Sequence, residues 1–215
     1  MTFGFLVFPD VEELDFVGPW EIVGTWGKFY GGPDTRVVVA ETAAPIVCAN
    51  GLSVNPHVTI DTCPALDYLL VPGGWGSRQA VDRPAFIDFI RRQAASCRAV
   101  LSVCTGAFLL ERAGLLAHKQ ATTHWGELPK LRKLNDVEVV EERFVRTGNV
   151  WVGAGVSAGT DLALAFIASE AGEDVASQVQ FFAEYYPSPK RYGRAHHDPQ
   201  APAYVKNDTG FPSEG

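Results

Sequence analysis

Hydrophobic positions in this chain follow two spacings that take turns. Continuous apolar runs at residues 3–8, 36–40, 68–71 and 99–103 read as strands buried on both faces. Between them the spacing becomes helical. Residues 10–26 carry Leu14, Val17, Ile22 and Val23 at roughly helical intervals, and residues 85–95 place Phe86, Phe89 and Ile90 on one face with Arg91 and Arg92 largely off it. Residues 107–113 repeat the helical pattern, and Gly114 stops them as a helix C-terminal glycine would. Gly18-Pro19 interrupts the first helical stretch. Proline is tolerated in a first turn, so the main helix is expected to begin at Pro19, with Asp15 just before it.

Shorter signals fill in the rest. Asn50-Gly51 marks a hairpin-type turn inside residues 46–54, and residues 57–60 form a further β-prone piece. Residues 121–125 lead into a short helix at about 127–134, followed by strands at 137–140 and 143–146. A strand from Asn149 enters a glycine-rich turn, and helices follow at 160–171 and 174–185. Buried strands alternating with amphipathic helices predict an α/β fold with a mostly parallel central sheet covered on both faces. Residues 1–187 form that domain. Residues 188–215, rich in proline and glycine and poor in aliphatic side chains, read as an irregular tail. Tyr192, Tyr204 and Phe211 are awkward for a solvated tail and make it a candidate to lie across a partner subunit.

The totals narrow the function. The chain has 215 residues, 47% of them hydrophobic, enough for a sizeable core. A net charge of −7 with no basic stripe argues against nucleic-acid binding. No run approaches a membrane span, and the first residues lack the basic region of a signal peptide, so a cytoplasmic protein is expected. The four cysteines form no CxxC pair and no zinc-ligand spacing, and no metal or cofactor is expected. His196-His197-Asp198 in the tail reads as solvated rather than metal-binding.

In open parallel sheets, function gathers at the carboxyl ends of the strands. Three such ends carry useful chemistry here: Asp15 after the first strand, Gly73-Gly74 after YLLV, and Cys104 after AVLSV. Cys104-Thr105-Gly106 joins a strand to a helix, the context of a nucleophile elbow with sulfur in place of oxygen. The helix N-terminus there is expected to lower the thiol's pKa, the plainer alternative being a buried structural cysteine. Gly73 and Gly74, paired with the Thr105 N–H, form a possible oxyanion hole, or else a plain turn. Asp15 is a candidate acid whose pKa would rise beside the sulfur, or else a helix cap. His124 is a candidate base or polar contact, or else a helix-start residue. The turn at Val156 closes the pocket or merely connects strand to helix.

These residues sit in motifs that resemble the ThiJ/PfpI superfamily: FPDVEELDFVGPWEI, the PGG turn, SVCTGAFLLERAGLL, ATTHW and GAGVSAG, spread over about residues 3–187. The resemblance implies a flavodoxin-like three-layer sandwich, a homodimer and a small-molecule substrate. SVCTG with ATTHW downstream is most similar to its isonitrile hydratase branch. Carried over, Cys104 is the nucleophile, Asp15 its acidic partner, Thr105 the following residue, Gly74 a backbone donor and Val156 an aliphatic neighbour of the sulfur. The implied activity is a lyase that hydrates an isonitrile through a thioimidate on Cys104 to an N-substituted formamide. Two alternatives stay open: a glyoxalase III-like conversion of a 2-oxoaldehyde, and a non-catalytic cysteine-based stress or redox sensor. Threonine at 105, where the protease-like branch has histidine, argues against a peptidase. Aspartate at 15, where other branches have glutamate, argues against the redox and glyoxalase roles.

Overall fold

The apolar runs become strands at the centre of the molecule. The computed structural model describes residues 1–206. In chain order the elements are β1 (Thr2–Leu6), α1 (Glu13–Phe29), β2 (Thr35–Ala40), β3 (Ile46–Val47), β4 (Ser53–Val54), β5 (Val58–Thr59), β6 (Tyr68–Val71), α2 (Ser77–Ala80), α3 (Pro84–Ala94) and β7 (Ala99–Val103). They continue with α4 (Gly106–Arg112), β8 (Lys119–Ala121), α5 (Leu128–Leu131), β9 (Val137–Val139), β10 (Phe144–Thr147), β11 (Val150–Gly153), α6 (Ala158–Ala171), α7 (Glu173–Phe182) and α8 (Ala203–Lys206).

A seven-stranded sheet in the order β10-β11-β7-β6-β1-β2-β5 forms the middle layer. Every neighbouring pair is parallel except β10 with β11. Helices α1, α6 and α7 pack together on one side, and α2, α3 and α4 on the other, giving the flavodoxin-like α/β sandwich that the alternation predicts. β3 and β4 pair as the hairpin expected around Asn50-Gly51. Strands β1, β6 and β7 are buried along nearly their whole length, which explains why their sequences run apolar without alternation. Phe166 of α6 meets Phe3, Tyr68, Trp26 and Trp151 edge-on, with ring centroids 5.1–6.2 Å apart. Such aromatic pairs are worth about 0.5–1.5 kcal/mol each beyond the area they bury, so this cluster fixes α1 and α6 on the sheet.

Two expectations need correction. First, the main helix starts at Glu13, not at Pro19, which lies inside it. Proline lacks an N–H, so the Asp15 carbonyl four residues earlier has no partner within the helix. Gly159 packs against that stretch: a Cβ placed on it would come 3.0 Å from the Pro19 ring and 3.3 Å from the Asp15 carbonyl. Packing against α6, with Phe16, Ile22, Val23 and Trp26 buried, outweighs the missing bond. Asp15 therefore sits in the first turn and is not the cap. Second, the helix expected at 127–134 shrinks to one 3₁₀ turn, Trp125–Glu127, and the four-residue α5. Part of the tail packs on its own chain. Ala201 and Pro202 are buried, the Ala203 N–H donates to Glu141 Oε2 at 2.9 Å, and Lys206 Nζ donates to the Pro199 carbonyl at 2.8 Å. Tyr192 stays 81% exposed, and Phe211 lies outside the described residues.

Candidate active site

The register of the sheet brings the expected residues together. Val71 pairs with Ser102, and Gly153 with Val103, so the turns after β6, β7 and β11 leave the sheet at one level. Cys104 is the first residue past β7, and α4 begins at Gly106. To turn that sharply the backbone adopts φ +57° at Cys104, a left-handed conformation that carries a strain of about 1–2 kcal/mol for a residue with a side chain. The turn is anchored by the Cys104 N–H, which donates to the carbonyls of Gly153 (3.1 Å) and Ala154 (2.8 Å). Thr123 Oγ1 donates to the Cys104 carbonyl at 2.8 Å. Val156 is a second strained point, at φ +40° in a β-branched residue.

Asp15 is fully buried. Its Oδ2 accepts the Gly73 N–H at 2.7 Å, and its Oδ1 has no hydrogen-bond partner. Burial is the largest influence on the carboxyl and raises it well above the ordinary aspartate range, while the Gly73 N–H and, last, the Cys104 thiol oppose the rise. Cys104 is 5% exposed. Burial, then the Asp15 charge, push its thiol up to about 12, against the backbone N–H groups of Thr105 and Val156 and the Thr105 hydroxyl. Desolvation thus works against the lowering that the N-terminus of the short α4 helix would bring.

The expected oxyanion hole is corrected too. The Gly73 N–H is engaged by Asp15, and the Gly74 N–H donates to Thr105 Oγ1 at 3.0 Å. Ser77 Oγ lies 2.8 Å from the same hydroxyl, so Thr105 is a bracket between the PGG turn and the elbow. Gly73 is required for close approach: a Cβ there would lie 2.5 Å from Thr105 Oγ1 and 3.0 Å from Asp15 Oδ2. The donors aimed at the sulfur come instead from Thr105 and Val156.

Above these groups opens a cavity of about 300 Å³, lined by Cys104, Thr105, Gly74, His124 and Val156, all expected from the sequence, and by Glu12, Trp75, Arg78, Gly126 and Glu127. His124 caps the 3₁₀ turn, its Nδ1 accepting the Gly126 N–H at 3.2 Å, and burial lowers its pKa. A neutral ring with Nδ1 engaged carries its proton on Nε2. His124 is thus the helix-start residue of the plainer reading, and it also lines the cavity. Arg78 was not foreseen. It pairs with Glu127 at 2.6 Å and lies 4.3 Å from the Trp75 ring centroid. The only sequence signal was the spacing of three between Trp75 and Arg78, which one turn of helix brings together. Among the described residues no group of three or more His, Cys, Asp or Glu is placed to hold a metal. No helix among them is long and apolar enough to cross a membrane.

Comparison with known proteins places this geometry in context. The DJ-1/PfpI family model matches residues 2–169. A curated isonitrile hydratase from Pseudomonas putida is 40% identical over 190 residues, covering 88% of this chain and 80% of that protein. The transcriptional regulator CdhR from Pseudomonas aeruginosa is 29% identical over 178 residues, 82% of this chain but 53% of the regulator. A crystal structure of a ThiJ/PfpI family protein from Pseudomonas syringae superposes with a TM-score of 0.83 at 31% identity, covering 95% of this chain and 82% of that one.

Proposed function

Since this chain belongs to the DJ-1/PfpI family, we propose that it is an isonitrile hydratase-like lyase that uses Cys104 as nucleophile and Asp15 as acid, without a cofactor. The observation that carries the reading is the unpartnered Oδ1 of a fully buried Asp15 next to a thiol at the cavity floor. A buried polar atom with no partner is costly unless a ligand or reaction uses it.

Isonitrile hydration suits a neutral pair. The terminal carbon of R–N≡C must gain both a nucleophile and a proton. The sulfur of Cys104 bonds to that carbon, the Asp15 proton goes to the same carbon, and the thiol proton passes to the Asp15 carboxylate. The result is a thioimidate, R–N=CH–S, with the acid restored. Water then adds to the C=N carbon, and its proton goes to nitrogen. Collapse of the R–NH–CH(OH)–S intermediate breaks the C–S bond, returns the hydroxyl proton to sulfur and releases R–NH–CHO. The Thr105 and Val156 N–H groups at the sulfur favour charge that develops there. His124, with an Nε2 proton, and the Trp75 wall orient the substrate.

Burial of the pair weighs against the alternatives. Burial pushes the Cys104 thiol up, which disfavours the thiolate that peroxide oxidises. Isomerising a 2-oxoaldehyde needs a base to take a C–H proton, whereas burial favours the protonated form of Asp15. A homodimer in the cytoplasm belongs to the same proposal. The test is incubation with a small alkyl isonitrile and detection of the formamide by NMR. We expect turnover by the wild type, none by Cys104→Ala, and no consumption of methylglyoxal. A wild type that makes no formamide, or turnover that survives in Cys104→Ala, overturns the reading.

A further inference from the structure

Three charged side chains line the cavity over Cys104: Glu12, Arg78 and Glu127. Two of them cancel. Arg78 pairs with Glu127 at 2.6 Å and lies 4.3 Å from the Trp75 ring centroid. Half-buried Glu12 is left over. Among the described residues its carboxylate makes no salt bridge. The hydrogen bond it accepts comes from a neutral amide, Asn50 Nδ2 to Oε1, at 3.2 Å. That same nitrogen makes its shorter bond, 2.8 Å, to Glu13 Oε2. A carboxylate offers about four acceptor sites, so Glu12 keeps most of its capacity and brings an uncompensated charge to the cavity.

The backbone fixes that carboxylate. Residues 10–12 run between the PGG turn and the β3–β4 hairpin. On one side the Glu12 N–H donates to the Gly73 carbonyl at 3.0 Å, and Val11 bridges Gly74. On the other side the Ala49 N–H donates to the Val11 carbonyl at 2.9 Å, next to Asn50 in the hairpin turn. Glu12 is therefore tied to the turn that supplies Gly74 to the cavity wall. A ligand is expected here on separate grounds, because the unpartnered Oδ1 of the fully buried Asp15 stands behind Cys104. The charge of Glu12 reaches that carboxyl: after burial and the Gly73 N–H, it is the next influence on Asp15, and it raises it. A charge partly walled by protein is screened less than one on open surface, so it acts strongly on what enters.

We propose that Glu12 is a specificity-determining residue of the Cys104 cavity: it draws in molecules that carry a positive charge near their reactive atom and turns away anionic ones. The substrate class that follows, which rests on the hydratase reading, is an isonitrile whose substituent bears an ammonium group. The ammonium lies against the Glu12 carboxylate while the terminal carbon meets the sulfur. An isonitrile bearing a carboxylate meets the uncompensated charge and is disfavoured. The preference for positive charge belongs to the cavity itself and does not depend on the hydration step.

The test needs no turnover. The full-length protein is treated with 2-aminoethyl or 2-carboxyethyl methanethiosulfonate, one cationic and one anionic reagent of similar size. Labelling rates at Cys104 are read by peptide mass mapping without reductant, with half-exposed Cys63 as reference. The cationic-to-anionic ratio cancels any change in the thiol's own reactivity. Relative to Cys63, that ratio at Cys104 is expected to be about tenfold higher in the wild type than in Glu12→Gln, as loss of one charge at short range would produce. Added salt should narrow the wild-type ratio. Glu173→Gln, which removes an equal charge from the exposed start of α7, should keep it. Equal ratios in the wild type and folded Glu12→Gln overturn the proposal. An equal fall in Glu173→Gln overturns it too, since that reports net charge. Should Glu12→Gln not fold, a wild-type ratio that matches Cys63 and ignores salt overturns it. Formamide assays with ammonium- and carboxylate-bearing isonitriles separate the two readings. A labelling preference with no formamide from either overturns the hydratase reading and the substrate class built on it, and supports the cavity's preference. Formamide formed equally fast from both overturns the role of Glu12 and supports the hydratase reading.

Discussion

The floor and the mouth of the cavity are built on opposite principles. The floor is made of backbone: Cys104, Gly74 and Val156 line it from strand ends, and behind Cys104 the fully buried Asp15 is set by the Gly73 N–H. The mouth is made of long side chains: Trp75 is 68% exposed, and Arg78 reaches across to Glu127. A floor tied to the sheet moves only if the core moves. A mouth of exposed side chains can be rebuilt without touching the fold. Chemistry should therefore be sensitive to single atoms at the floor and tolerant at the mouth.

Three substitutions press on that contrast. The largest effect is expected from Asp15→Asn. The amide can still accept the Gly73 N–H but cannot give a proton to carbon, so kcat should fall by about 10²–10⁴. Stability should move the other way. A carboxyl whose pKa is raised on folding binds a proton more tightly in the native state, so the wild type loses stability as pH climbs from the ordinary value of 3.8 through the raised one. The asparagine variant does not titrate. Thermal melts should show its advantage growing across that window, reaching about 1 kcal/mol. A variant less stable than the wild type at every pH would break the account of a costly buried acid.

Next is Gly73→Ala. The added methyl would strike the Thr105 hydroxyl and crowd the Asp15 carboxylate. We expect a loss of about 1–3 kcal/mol in denaturant titration, as for other overpacked sites. Misplacing the acid should cut kcat by about a hundredfold. The smallest effect is expected from Arg78→Ala at the mouth. A half-exposed ion pair is worth about 1 kcal/mol or less, so kcat/KM should drop by less than about tenfold, and stability should shift within about 0.5 kcal/mol. A larger loss for Arg78→Ala than for Gly73→Ala would reverse the contrast.

The same division explains what could be read in advance. The strands at 68–71 and 99–103 and the position of Cys104 were legible because each rests on a local run of apolar residues ended by turn chemistry. The meeting of Asp15, Gly73, Cys104 and Val156 followed, since parallel strands bring their ends to one edge. Donor assignment was not legible. Which N–H serves Asp15, Thr105 or the sulfur depends on ångström-scale placement that residue types do not encode. Pro19 misled because tertiary packing against Gly159 overrode a local breaker signal. Arg78 and Glu127 were invisible because two exposed residues 49 positions apart carry no pattern that joins them. The desolvation of Cys104 was not legible, because a helix end is a local feature whereas burial is a property of the whole fold.

The left-handed backbone at position 104 has one more consequence. Glycine adopts that angle without penalty, so a chain selected for thermodynamic robustness alone would have no side chain there. Cys104→Gly should melt no lower than its alanine counterpart. A side chain held where the polypeptide would rest more easily without one is a strain that the proposed nucleophile role of Cys104 accounts for.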